Sequence, residues 1–228
     1  MVEQHSSFFN SLINKIHMRI TILLSVLMVL GFIYELFFAP DLNVLINNYG
    51  FSGANFFANP LTFFTSIFLH GGVDHLLANL FVLIFFGHVV EKDLGSIKVL
   101  TIFFLGAFAG DMFSLFVYPW DALSIGASAG IFALVGVGML VRPVDLSFYP
   151  FVVPVPLIFL GLLYALYNVY GFIFNIEPNV SYIAHFGGLV VGLLFGFHYG
   201  GWKRGIKTIL ITLGIMVLIP LIYFLLVR

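Results

Sequence analysis

Seven runs of apolar residues leave this chain few ways to fold. They cover residues 20–38, 76–90, 99–118, 125–141, 151–174, 183–199 and 206–227. Most approach the roughly 20 residues that an α-helix needs to cross a bilayer. The second, fourth and sixth runs are short for that task. Across the 228 residues, 61% are hydrophobic and only 8% are charged. A soluble domain carries about 25% charged residues, so this surface must face lipid. The expected class is an all-α polytopic membrane protein. The first run is too long for the apolar part of a cleavable signal, and no Ala-x-Ala site follows it, so it reads as a retained anchor. A net charge of -1 argues against nucleic acid as a partner. The absence of cysteine excludes disulfides and thiolate metal sites.

The cations orient the spans. With seven spans, Lys15, Arg19, Lys92, Lys98, Arg142, Lys203, Arg204 and Lys207 fall on the side of the N-terminus, and Arg228 falls opposite. The positive-inside rule then sets the N-terminus in the cytoplasm and the C-terminus outside. Residues 1–18 read as a short cytoplasmic, amphipathic lead-in. The connection at 40–72 has no Lys or Arg and is rich in Phe. It reads as a segment partly immersed at the outer interface, where aromatic residues favour the boundary.

Polar residues recur where apolar runs begin. His75 and Asn79 are spaced i, i+4 on one helix face at the start of the second span, just after His70 and Asp74. Ser128 lies near the start of the fourth span and His185 near the start of the sixth. Even-numbered spans run inward, so these three starts share the outer side. A lone histidine at such a boundary is usually a helix cap. Several polar groups converging at one depth point instead to a site, because polar residues at membrane depth tend to face a bundle interior or a water cavity. Small residues supply the means of convergence. Gly126, Ala129, Gly130, Ala133 and Gly136 line the fourth span, and Gly188, Gly192 and Gly196 line the sixth at i+4 steps. Such faces let backbones approach closely, so these two helices are expected to pack together. Glu91 and Gly95, in a turn at 91–96, and Asp111, within the third span, read as structural.

A serine hydroxyl is a weak nucleophile and needs an adjacent base. His185 is the candidate base for Ser128. No carboxylate has an obvious claim to orient it, so the reading is a dyad. Free backbone N–H groups at the helix start, with His75 and Asn79, form a candidate oxyanion hole. Asp74, His70 and the short helices would help admit water from the outer face.

The set His70-x4-His75-x3-Asn79, Glu91-Lys-x-Leu-Gly95-Ser, Gly126-Ala-Ser128 and Ala184-His185-x-x-Gly188-x-x-x-Gly192 resembles the rhomboid family of intramembrane serine proteases. The motifs stand in order over about residues 20–200. The resemblance implies Ser128 as nucleophile, His185 as base, and His75 and Asn79 as oxyanion donors. It implies transmembrane protein substrates cleaved near their outer ends. It also implies a six-helix core, here 19–200, with 201–228 as a cytoplasmic link and an additional C-terminal transmembrane helix. The lipid bilayer is the other partner, and no cofactor, metal or nucleic acid is expected. Three positions depart from the family pattern. Ala129 stands where a glycine follows the serine, with Gly130 one place later. Leu61-Thr62 replaces a Trp-Arg pair in the first outer loop. Phe132 replaces a tyrosine, and it can still stack on His185.

Three other readings compete. A catalytically inactive relative that binds membrane clients usually lacks the serine or the histidine, and both are present. A transporter or channel predicts inverted repeats or charged pathways, whereas the polar groups here cluster on one side. A metal hydrolase of the His-Glu-x-x-His type needs an i, i+4 histidine pair, and His70 and His75 are five apart.

Overall fold

The computed structural model describes residues 18–38, 41–145, 156–177 and 180–227. Residues 1–17 of the expected lead-in, the start of the fifth run at 151–155 and Arg228 lie outside them. Among the described residues, six helices are long and apolar enough to cross a membrane. They are α1 (Arg19–Phe37), α5 (Val73–Leu94), α6 (Ser96–Val117), α8 (Leu157–Phe174), α9 (Tyr182–Gly200) and α10 (Trp202–Val227). Three short helices, α2 (Leu42–Tyr49), α3 (Gly53–Ala58) and α4 (Thr62–Ile67), occupy the connection after α1. Asp41 and Ser52 cap the first two through bonds from Asn43 N and Asn55 N. The chain is a multi-pass integral membrane protein.

Helix α7 (Ser128–Val141) is the exception in length, with 14 residues. At 1.5 Å per residue it spans about 21 Å, against a hydrocarbon core of about 30 Å. At least one of its ends therefore lies within the apolar layer. It is also the centre of the molecule, since every residue from Ala129 to Leu140 is buried.

The second and sixth spans are longer than their apolar runs. Helix α5 takes in Asp74, His75, Lys92 and Asp93, and it widens into a π-helical turn at Leu83–Gly87. An apolar run ends at the first charge, but helical hydrogen bonding does not. Glu91 accordingly lies in α5, not in a turn, and Gly95 alone, at φ 88°, makes the break before α6. Its carboxylate accepts bonds from Ile20 N (2.8 Å), Thr21 N (2.9 Å), Thr21 Oγ1 (2.7 Å) and Ser96 Oγ (2.6 Å). Two otherwise orphaned N–H groups in the first turn of α1 are thereby capped from across the bundle.

The small-residue faces pair as the sequence predicts. A Cβ on Gly188 would strike the Ala129 carbonyl, one on Gly192 the Ala133 carbonyl, and one on Gly196 would lie 2.9 Å from Gly136 O. Helix α6 joins the seam from the other side, with Gly106 against Ala133 and Gly110 against Ala129 and Ala184. In lipid there is little hydrophobic drive to bring helices together, so association rests on this close van der Waals contact. The seam fixes the axial register of α7 against α9, and hence of their first turns.

Candidate active site

The polar residues of the site sit where α7, α8, α9 and α5 meet. Gly126 precedes α7 at φ 107°, a conformation that disfavours any residue with a Cβ. Its N–H donates to Ser66 O at 2.8 Å, tying the turn to α4. A Cβ at Gly126 would lie 2.8 Å from His75 Cε1 and 3.8 Å from Asn79 Nδ2. Glycine is thus required twice here, and His75 and Asn79 flank the peptide just ahead of Ser128. Asn79 is buried, and its Nδ2 donor has no hydrogen-bond partner among the described residues.

Ser128 is the first residue of α7, so it stands among the helix's free N–H groups. Its Oγ lies 2.8 Å from His185 Nε2. His185 belongs to the first turn of α9, which Ser181 caps through a bond from Ala184 N. The imidazole is stacked on one face. Phe132 stacks on it at 4.4 Å between centroids and 12° between planes, and Tyr164 stacks on the far side of Phe132 at 4.7 Å and 13°. The expected Phe132 stack is therefore present. Gly188 and Gly192 lie in the seam, against the backbones of Ala129 and Ala133.

The other ring nitrogen, His185 Nδ1, lies 2.7 Å from Asn168 Oδ1. Asn168 is on α8, 2% exposed, and its Nδ2 donates to Tyr182 O at 3.0 Å. Sequence reading missed this residue, because one asparagine within an apolar run does not say which face it occupies. Its only signal was polarity at membrane depth.

His70 departs from its expected role. It is fully buried, so it does not sit at an aqueous mouth, whereas the neighbouring Asp74 is exposed. Its backbone N–H donates to Glu35 Oε1 on α1 at 2.9 Å, and its ring lies 5.1 Å from that of His75. Burial, reinforced by the neighbouring His75, holds the His70 imidazole down at about 4. Its Nδ1 lies 3.3 Å from the Phe68 carbonyl, which can only accept, so Nδ1 carries the proton. His70 anchors the chain ahead of α5. Among the described residues, no group of three or more His, Asp and Glu gathers as a metal site would require.

The sequence model of the Rhomboid domain matches residues 58–202, from the end of α3 to the first residue of α10. The chain belongs to the rhomboid family. RHOMBOID-like protein 1 of Arabidopsis thaliana is 32% identical over 136 residues, covering 59% of this chain and 33% of that protein. RHOMBOID-like protein 4 of the same plant is 34% identical over 139 residues, covering 58% of this chain and 34% of that protein. Rhomboid-like protease 3 of Toxoplasma gondii is 38% identical over 72 residues, or 32% of this chain and 27% of that protein. The matched region thus spans about a third of the two plant relatives.

This rhomboid anchors its first loop without a Trp-Arg pair. The Thr62 hydroxyl is buried and donates to Asn59 O at 2.9 Å. Phe51 and Ser124 exchange backbone bonds of 2.9 and 2.7 Å, and Gly53 N donates to Trp120 O at 2.9 Å. Trp120 also stacks on Phe57 at 5.6 Å. The loop is thus bound to the segment that leads into Gly126 and Ser128.

Proposed function

We propose that this rhomboid is an intramembrane serine endopeptidase that cleaves transmembrane proteins through Ser128 and His185. The observation that carries the reading is the 2.8 Å contact between Ser128 Oγ and His185 Nε2 at the start of a helix shorter than the bilayer. The hydroxyl attacks the scissile carbonyl carbon as its proton passes to Nε2. The carbonyl π electrons move to the oxygen, giving a tetrahedral oxyanion. Donors for that oxyanion are the N–H groups at the start of α7, Asn79 Nδ2 and the His75 imidazole. Collapse of the intermediate expels the amine, which takes the proton from His185. Water then attacks the acyl-serine, again giving its proton to His185, and the acid product leaves with Ser128 restored.

A buried site asks for a substrate helix that unwinds locally, since a helical carbonyl is already hydrogen bonded and shielded. The cation distribution supports a cytoplasmic N-terminus and a site opening to the outer side. In this reading residues 19–200 are the catalytic core and α10 is an addition to it.

The test is cleavage of a model transmembrane segment in liposomes, with parallel labelling by a serine-directed fluorophosphonate. Wild type cleaves and is labelled at Ser128. Ser128→Ala and His185→Ala each lose about 10³-fold or more, as removal of the nucleophile or base does in other serine hydrolases. Cleavage that persists in Ser128→Ala would overturn the assignment. A wild-type protein that captures the segment but neither cuts it nor takes the label would be a client-binding rhomboid.

A further inference from the structure

We infer that Asn168 is a positioning residue that selects the tautomer of His185 and so makes its Nε2 the base. The inference rests on the proteolytic reading for its catalytic consequence, but its structural content stands on hydrogen-bond chemistry alone.

The argument runs from a backbone carbonyl. Tyr182 O can only accept a hydrogen bond. The group 3.0 Å from it on Asn168 must therefore be the NH2, the sole donor of that side chain. This fixes the amide: Nδ2 faces Tyr182 and Oδ1 faces His185 Nδ1 at 2.7 Å. An amide oxygen has no proton to give, so Nδ1 carries the hydrogen and donates it. In a neutral imidazole the other nitrogen then holds a lone pair. That nitrogen is Nε2, 2.8 Å from Ser128 Oγ. The serine hydroxyl donates to it, which is the arrangement that proton transfer requires.

The reversed amide reveals what is at stake. It would set two oxygens 3.0 Å apart and leave the NH2 pointing at His185 Nδ1. Nδ1 would have to accept, Nε2 would be protonated, and Ser128 would face a donor that cannot take its proton. Asn168 is 2% exposed, so an unmatched amide there would be costly. The same oxygen keeps accepting from Nδ1 when His185 becomes imidazolium. A neutral amide does this more weakly than a carboxylate, as in the Cys-His-Asn arrangement of other hydrolases.

Geometry limits where such a residue can come from. Phe132 and Tyr164 occupy one face of the ring, and Tyr182 stands edge-on at 6.3 Å and 87°. The Nδ1 edge is met by α8, in the span opposite neither Ser128 nor the seam. The orientation of the base is thus held by a helix that contributes no reacting atom.

The first experiment is ¹⁵N NMR of the histidine-labelled full chain in detergent micelles near pH 7.5. The His185 signals are identified by their loss in His185→Gln. Nδ1 protonated and Nε2 bare is expected, and the reverse overturns the inference whether or not the protein is a protease. The second experiment follows fluorophosphonate acylation and substrate cleavage in Asn168→Ala, Asn168→Leu and Asn168→Asp. Alanine and leucine are expected to slow acylation and kcat about 10- to 100-fold with KM within about twofold. Aspartate restores an acceptor for Nδ1–H but sets its second oxygen against Tyr182 O, so it is expected to recover part of the rate lost in alanine and leucine. Wild-type acylation rates in the alanine and leucine variants would overturn the inference. Should wild type itself neither label nor cleave, the proteolytic reading fails and the NMR arm still decides the tautomer.

Discussion

Helix α7 beyond Ser128 and helix α10 beyond Lys207 are both strongly apolar, yet they live in different solvents. Helix α7 has 14 residues and is buried on every side. Helix α10 has 26 residues and is largely exposed, with Leu225, Leu226 and Tyr223 among its open side chains. Hydropathy does not separate them, because lipid tails and a protein interior are equally apolar. Spacing of small residues does. Ala129, Ala133 and Gly136 on α7 meet Gly188, Gly192 and Gly196 on α9 at backbone contact. On α10, Gly214 has nothing among the described residues within 4 Å of where its Cβ would be. That helix is held near its start, where Trp202 stacks on Phe197 at 4.4 Å and Gly205 lies against the same ring. A membrane helix enters the core when its backbone can be approached, and it faces lipid when it cannot.

The contrast breaks most visibly at the seam. Gly188→Val is expected to force α7 and α9 apart, because its Cβ has only the Ala129 backbone to meet. A loss of about 4 kcal/mol or more is expected, with cleavage lost alongside, as thermal unfolding and the liposome assay would read. A stable, active Gly188→Val protein would show that the seam is not what holds the site.

Glu91 tests whether packing alone explains the bundle. It holds the first turn of α1 by three bonds, so Glu91→Ala leaves Ile20 N and Thr21 N without acceptors. A loss of about 2 kcal/mol is expected from comparable caps and buried donors. Unchanged stability in the same unfolding measurement would mean that helix contacts suffice.

His70 gives a smaller, graded effect at the edge of the site. Its folded value of about 4 lies below the ordinary 6.5. Between these the unfolded chain binds a proton that the folded imidazole refuses, so its contribution to stability is complete above pH 6.5 and is lost as pH falls towards 4. Unfolding temperatures at pH 7.5 and 5 should differ less in His70→Gln than in wild type. An equal difference in both proteins would remove His70 from the account.

The smallest effects belong to α10. Gly214→Ala is expected to change stability by about 0.5 kcal/mol or less. Deleting residues 206–228 should leave cleavage within about twofold, as for groups remote from the site. A large loss from either change would mean that α10 is part of the core and would end the contrast.

The sequence by itself determined the class, the apolar runs and the glycine spacing. It also singled out Ser128 and His185, because a polar residue at the mouth of an apolar run stands out against its neighbours. The pairing of the fourth and sixth runs was legible for a similar reason: i+4 glycines define a face without reference to any partner. Helix ends were less legible, since charges such as Asp93 interrupt an apolar run while the backbone continues through them. Only the tertiary structure decided that Glu91 caps a helix some seventy residues away, that His70 is enclosed, and that Asn168 reaches His185 Nδ1. Each of these depends on the rotation of one helix about its axis relative to another. That rotation is set by three-dimensional packing of side chains from several helices at once, and no single run of residues encodes it.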